Sequence, residues 1–185
     1  MLNLKDLAKE LIVQEEKNES LKHDREVIEV KDFVTDRVCG LLEHTILFRK
    51  THIFGHNSNE NDKNYFYYVK FEDDWFLINY LINEICFTLN FKKLDVERVY
   101  SNIQYPGQIS DWHTDHADDR ARTALIMLGP TLPEGVGTFQ TEHQNINFER
   151  GKLLFFKSRI LHRALSGNNP HIPRITLALK CFLPE

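Results

Sequence analysis

Cysteine is scarce in this chain and badly placed for cross-linking. Cys39, Cys86 and Cys181 are odd in number, each lies in an apolar context, and no two share a CxxC spacing. That argues against a disulfide framework or a thiolate metal site and leaves three buried free thiols. No apolar run approaches the length that a bilayer-spanning helix needs. Positive charge is not in excess either. The 23 Lys and Arg face 27 Asp and Glu, and the net charge of −4 provides no global field to draw a nucleic acid. The N-terminus, MLNLKDLAKELIVQEEKNES, turns acidic at once and lacks a signal-peptide layout, so the default expectation is a cytoplasmic protein with no membrane partner. Internal repeats and low-complexity tracts are absent.

Aromatic residues are present in quantity. Thirteen Phe and six Tyr in 185 residues are enough for a large aromatic core, and the length fits one domain, residues 1–185. Residues 1–93 read as helices with supporting strands. Leu4, Leu7, Leu11 and Ile12 set a helical stripe over Leu2–Glu16. VIEVKDF alternates as a short strand, and Thr35 is placed to cap a helix through DRVCGLLEHTIL. Residues 49–65 read as one long irregular connection. FYYVKF is extended, and DDWFLINYLINEICFTL is a strong amphipathic helix capped by Asp73 or Asp74.

From residue 94 to residue 185 the character changes. VERVYSNIQY, RTALIML, GTFQT, NINF, KLLFF, LHRAL and RITLALKCF are short β-type runs separated by Gly- and Pro-rich turns, with no helix between them. Such spacing predicts a sandwich or barrel. The expected class is α+β, mainly β, with the N-terminal helices packed on one sheet.

One stretch carries chemistry. SDWHTDHADD packs two His and four Asp into ten positions and contains two overlapping His-x-Asp pairs, His113/Asp115 and His116/Asp118. With nine His and 27 acids in the chain, roughly one such pair arises by chance, so the motif alone says little. On extended backbone the two members of a pair share a face and can grip one ion, but the two pairs face opposite ways. Two His and one carboxylate on one face of an ion leave three positions open, the arrangement of non-haem Fe(II) oxygenases. His162, at the start of a β-type run, is the candidate third ligand, although a satisfied core histidine is the commoner case for such a context. In PRITLALKCF, Arg174 and Thr176 project together and form a ready-made carboxylate anchor; a solvent-facing Arg and Thr on an edge strand is the plain alternative.

Together, His113-x-Asp115, His162 and Arg174-x-Thr176 resemble the HxD…H…Rx(S/T) pattern of the Fe(II)/2-oxoglutarate-dependent dioxygenases, over about residues 96–183. YPGQISDWHTDH, GKLLFFKSRILHRAL and RTALIMLGPTLPEGVGTFQ are similar to segments of the prolyl 4-hydroxylase subgroup, which includes small bacterial and phage enzymes. The resemblance implies a double-stranded β-helix (jelly-roll, cupin-like) core. It also implies Fe(II) held by His113, Asp115 and His162, and 2-oxoglutarate bound through Arg174 with Thr176 assisting. Tyr105 corresponds to a tyrosine lining the cosubstrate pocket. O2 is the co-reactant, and ascorbate serves as a reductant in the subgroup. The implied reaction hydroxylates an unactivated C–H bond of a prolyl residue in a protein or peptide, with release of succinate and CO2. A free amino acid, a nucleobase or another small metabolite is the alternative substrate, and a non-catalytic β-barrel binding module is the alternative from a different class. The chain departs from the pattern in two places. Ile126 and Met127 stand where a second tyrosine is common, and a long loop precedes Arg174, which leaves Lys180 as a substitute anchor. Trp112, Ile126, Phe139 and Phe155 are expected to shield the site, and the loop over residues 51–64 to cover it.

Overall fold

A computed structural model describes residues 27–55, 66–72, 75–108 and 110–184. The expected helix over Leu2–Glu16 and the capping role of Asp73 or Asp74 fall outside these residues. In chain order the elements are β1 (Ile28–Val30), α1 (Asp36–Arg49), β2 (Ile53–Phe54), β3 (Tyr67–Phe71), α2 (Phe76–Thr88) and β4 (Asp95–Gln104). β5 (Ala121–Met127), β6 (Phe139–Thr141), β7 (Asn145–Ile146), β8 (Leu153–Lys157), β9 (His162–Ala164) and β10 (Arg174–Phe182) follow.

Period-2 alternation on the long strands builds the architecture. A seven-stranded antiparallel sheet runs β1-β8-β5-β10-β4-β3-β2, and a smaller one runs β7-β6-β9. One face of the large sheet (Val99, Ile103, Ala124, Ile126, Leu153, Phe155, Leu177, Leu179) packs against Leu42 and Ile46 of α1 and Leu77, Ile78, Leu81 and Ile85 of α2. Tyr100, Leu125, Met127, Leu154, Phe156 and Ala178, on the other face, meet Phe139 and Ile146 of the small sheet. This is the expected mainly β jelly roll, with the two helices among the described residues packed on the large sheet.

Local signals set the element ends. Thr35 caps α1 as expected, its Oγ1 accepting from the Val38 N–H at 3.4 Å. α2 starts later than DDWF suggested, at Phe76, and its N-cap Trp75 makes no side-chain capping bond. The expected irregular connection over 49–65 contains a strand: Ile53 and Phe54 pair with Tyr68 and Tyr67. Two residues of alternation are too short a signal to find from sequence. The turn into β8 brings Gly151 against the chain that precedes α1. The Val34 N–H donates to Gly151 O at 3.1 Å, and at φ +80° a Cβ on Gly151 would stand 2.5 Å from Val34 O, so only glycine fits.

Candidate active site

The space between the two sheets holds a cavity lined from both. β10 contributes Arg174, Thr176, Ala178 and Lys180, all on one face as their spacing requires. β4 contributes Tyr100, Asn102 and Gln104, which lie opposite Ala178, Thr176 and Arg174 in the register. The segment before β5 contributes His113 and Asp115, and β9 contributes His162.

Backbone pairing sets the HxD segment in place. His113 and His162 exchange N–H···O bonds at 3.0 and 2.9 Å as an isolated antiparallel bridge. Ser110 N–H donates to Ala164 O at 3.2 Å, and Asp115 N–H to Ser158 O at 2.8 Å. The segment thus lies along β9 like an added strand. His113, Asp115 and His162 offer ligand atoms all within 4.8 Å of one another. His116 and Asp118 turn away. His116 packs edge-on against Phe182, its Nδ1 accepts from the Asp118 N–H at 3.0 Å, and Asp118 accepts from the Arg120 N–H at 2.7 Å.

Hydrogen bonds prepare each of the three residues. Nδ1 of His113 lies 2.8 Å from Asp111 O, and Nδ1 of His162 lies 2.8 Å from Ile160 O. A carbonyl only accepts, so each Nδ1 carries the proton and each Nε2 presents a lone pair. Burial pushes His162 down to about 4 against the pull of Asp115, so its ring is neutral at pH 7. Burial would raise the Asp115 carboxyl, but the Lys180 ammonium, then His162 and His113, hold it well below the usual carboxylate range. Asp115 Oδ2 accepts from Thr123 Oγ1 at 2.7 Å and pairs with Lys180 Nζ, which also donates to Thr123 Oγ1 at 3.0 Å. Oδ1 stands 3.7 Å from His113 Nε2. Two imidazoles, each with Nδ1 held by a carbonyl and Nε2 turned toward an ionised carboxylate, are a donor set that fits a borderline divalent ion such as Fe(II) and leaves positions open.

The other end of the cavity is built for an anion. Arg174, 1% exposed, donates through Nε to Gly137 O (2.9 Å) and through Nη1 to Gln104 Oε1 (2.8 Å), with its guanidinium 5.0 Å over the Phe148 ring. Among the described residues it has no carboxylate partner, and burial pushes it down to about 9. Arg174 Nη2, Thr176 Oγ1 and Gln104 Nε2 are buried donors with no partner. Unmet donors around a buried cation are costly unless a ligand meets them, so these residues fit a carboxylate such as the distal one of 2-oxoglutarate. Lys180, the substitute anchor, is committed to Asp115 instead.

The structure corrects several expected lining residues. Tyr105 does not line the cavity. It is one residue out of step with Tyr100, Asn102 and Gln104, packs beside the helix-facing core, and meets Tyr67 edge-on at 6.4 Å. Tyr100 lines the cavity in its place. Ile126 and Phe155 face the helices, and their neighbours Leu125 and Phe156 face the site, because a shift of one residue changes the face. Phe139 lines the cavity as expected, while Trp112 is 41% exposed and stacks under Arg163 at 4.7 Å. Sequence reasoning missed Thr123, Gln104 and Asn102; only the β4–β10 and β5–β10 registers reveal them. Most of the expected covering loop, residues 56–64, lies outside the described residues.

The fold is that of the Fe(II)/2-oxoglutarate oxygenases. A viral collagen prolyl hydroxylase from Paramecium bursaria Chlorella virus-1, in complex with 2-oxoglutarate, superposes at TM-score 0.63 with 19% identity, covering 84% of this chain and 94% of that one. A Trichoplax adhaerens prolyl hydroxylase, in complex with a hypoxia-inducible-factor peptide, matches at TM-score 0.67 and 15% identity over 99% of this chain and 94% of its own. HygX from Streptomyces hygroscopicus, with nickel, 2-oxoglutarate and hygromycin B bound, matches at TM-score 0.61 and 9% identity over 90% and 86%. At these identities the likeness establishes the fold. No protein-family model and no curated protein sequence matches the chain.

Proposed function

We propose that this chain is a single-domain Fe(II)- and 2-oxoglutarate-dependent oxygenase. It hydroxylates an unactivated C–H bond of a prolyl residue in a protein or peptide, with release of succinate and CO2. The observation that carries the reading is the pairing, in one cavity, of the His113/Asp115/His162 cluster with the unmet donors of Arg174, Thr176 and Gln104. Either feature alone has plainer explanations. Both in one buried space fit a site that would take a metal at the His/Asp cluster and a carboxylate cosubstrate at the guanidinium. The prolyl substrate is supported by the prolyl hydroxylases among the structural matches.

The roles of the residues follow from their chemistry. His113, Asp115 and His162 would hold the ion. Thr123 and Lys180 hold Oδ2 and so orient the carboxylate. Arg174 and Thr176 bind the far carboxylate of the cosubstrate. Phe139, Leu125 and Phe156 wall the space and exclude water. Bound iron and 2-oxoglutarate supply the oxidising chemistry, which no protein side chain provides.

Succinate release tests this. With Fe(II), 2-oxoglutarate and O2 the protein forms succinate, and a proline-containing substrate gains 16 Da. A +16 Da product on a free amino acid, a nucleobase or an aminoglycoside instead moves the reading to a small-molecule oxygenase. No succinate from any substrate, with no metal binding, points to a binding module.

A further inference from the structure

A second groove adjoins the cavity. Tyr68, Lys70, Phe71, Glu97, Arg98, Val99 and Tyr100 line it, and Tyr100 is the wall it shares with the metal cavity. The register explains the neighbourhood. Lys180 lies opposite Arg98, Ala178 opposite Tyr100, and Lys70 opposite Tyr100 on the other side. Three cations therefore gather around two rings. Arg98 and Lys180 stand 5.6 and 5.7 Å from the Tyr100 centroid, and Lys70 stands 6.0 Å from that of Tyr68.

These charges are unevenly balanced. Lys180 has Asp115. No ion pair joins Lys70 or Arg98 to a carboxylate among the described residues. Glu97 is the one acid in the groove lining. The register between β4 and β10 shifts between Lys180 and Cys181, which pair with Arg98 and Val96, so Glu97 has no opposite residue. Bulges of this kind re-aim side chains and recur beside active sites. Lys70 and Arg98 are both exposed, so a carboxylate arriving from solvent meets two cations set over aromatic walls.

We propose that Lys70 and Arg98, with the Tyr68 and Tyr100 rings, form the subsite for an acidic side chain of a peptide substrate, close in sequence to the residue that is oxidised. This rests on the oxygenase reading and narrows its substrate class. Two arguments select a peptide over a small anion. The register sets Arg98 level with Lys180, which holds Asp115, and places Lys70 one strand further out, so the subsite stands one to two strand spacings (~5–10 Å) from Lys180, and two to three residues of extended peptide cover about that distance. A free amino acid does not reach both. Lys70 and Arg98 are also exposed at the surface, in keeping with a side chain held outside the reaction cavity while another enters it. The acidic residue accordingly sits about two positions from the oxidised one.

Equilibrium binding without turnover tests the subsite. The probes are fluorescein-labelled seven-residue peptides with a central proline, carrying Asp or Lys two positions away on either side. They are titrated onto protein loaded with Mn(II) and 2-oxoglutarate. The Asp peptide is expected to bind at least tenfold tighter than the Lys peptide, and the gap to narrow with added salt. Arg98→Glu and the double change Lys70→Glu/Arg98→Glu should reverse the preference, a gain that misfolding does not produce. Equal binding of both peptides, an unchanged preference in the variants, or displacement of neither peptide by tenfold excess of the unlabelled Asp peptide overturns the subsite. So does tight binding of inorganic phosphate or a nucleotide in place of any peptide. Loss of the Mn(II)/2-oxoglutarate thermal shift in the wild type would instead overturn the underlying oxygenase reading, which separates the two failures.

Discussion

At the scale of single residues, the account assigns neighbours in one stretch to opposite fates. His113 presents an Nε2 lone pair to Asp115 and His162, and His116 packs on Phe182. His113→Ala should therefore abolish high-affinity Mn(II) binding, while His116→Ala keeps it; isothermal titration reads both. Arg174 is the second assignment. Removing a charged group that makes two hydrogen bonds to a ligand costs about 1.5–3 kcal/mol, or roughly 10–100-fold in affinity. Arg174→Ala should weaken 2-oxoglutarate by that factor and leave Mn(II) affinity near wild type. Unchanged 2-oxoglutarate affinity would remove Arg174 from the site. The clustering of His113, Asp115 and His162 and the shared face of Arg174 and Thr176 were legible because their residue types are rare in apolar runs and their spacing is set by the strand. The wrong choices, Tyr105, Ile126 and Phe155, were all one residue out of step, since alternation says which residues share a face and not which face looks inward. Lys180 was seen on the face of Arg174, but its pairing with Asp115, which the segment before β5 brings to the same cavity, was not.

At the scale of elements, the strands after residue 94 were readable because period-2 runs end in Gly and Pro turns. The failures came where tertiary contact decides. β2 has two residues, and α2 begins without a side-chain cap. Edge strand β1 is held by a contact no local pattern announces. Lys152 of the turn into β8, 2% exposed, pairs with Glu29 of β1 at 2.9 Å and with Glu149 at 2.8 Å. Lys152 donates to Glu149 and so lowers its carboxyl from the ordinary value, while burial opposes and the two acids raise the Lys152 ammonium. The sign follows. The Glu149 contribution is present above the unfolded carboxylate value, about pH 4.3, and is lost as pH falls through its depressed folded value. The Lys152 contribution is lost only as pH rises above about 10.4. Glu149→Gln should thus reduce the stability difference between pH 7 and pH 3 seen by urea unfolding, and an unchanged difference contradicts the assignment. Gly151→Ala tests the β8 turn against Val34. Its left-handed φ and the 2.5 Å approach predict a loss of about 2 kcal/mol, which for a chain of this size lowers Tm by roughly 4–8 °C.

At the scale of the whole molecule, the helices pack on one face of the large sheet, and the chemistry-bearing side chains project from the other. The net charge of −4 hides a local reversal: among the described residues, Arg174 in the cavity and Lys70 and Arg98 in the adjoining groove have no carboxylate partner. A nucleic-acid reading finds no support in the global charge, and an acidic partner finds a place to dock. The central claim is that one cavity holds both a metal and 2-oxoglutarate. Anaerobic addition of Fe(II) and 2-oxoglutarate, followed by visible absorption, tests it most directly, because the charge-transfer band requires both on the same ion. The account predicts a weak band that appears only with both additions and is lost in His113→Ala but kept in His116→Ala. No band in the folded wild type, or an equal band in His113→Ala, would contradict it.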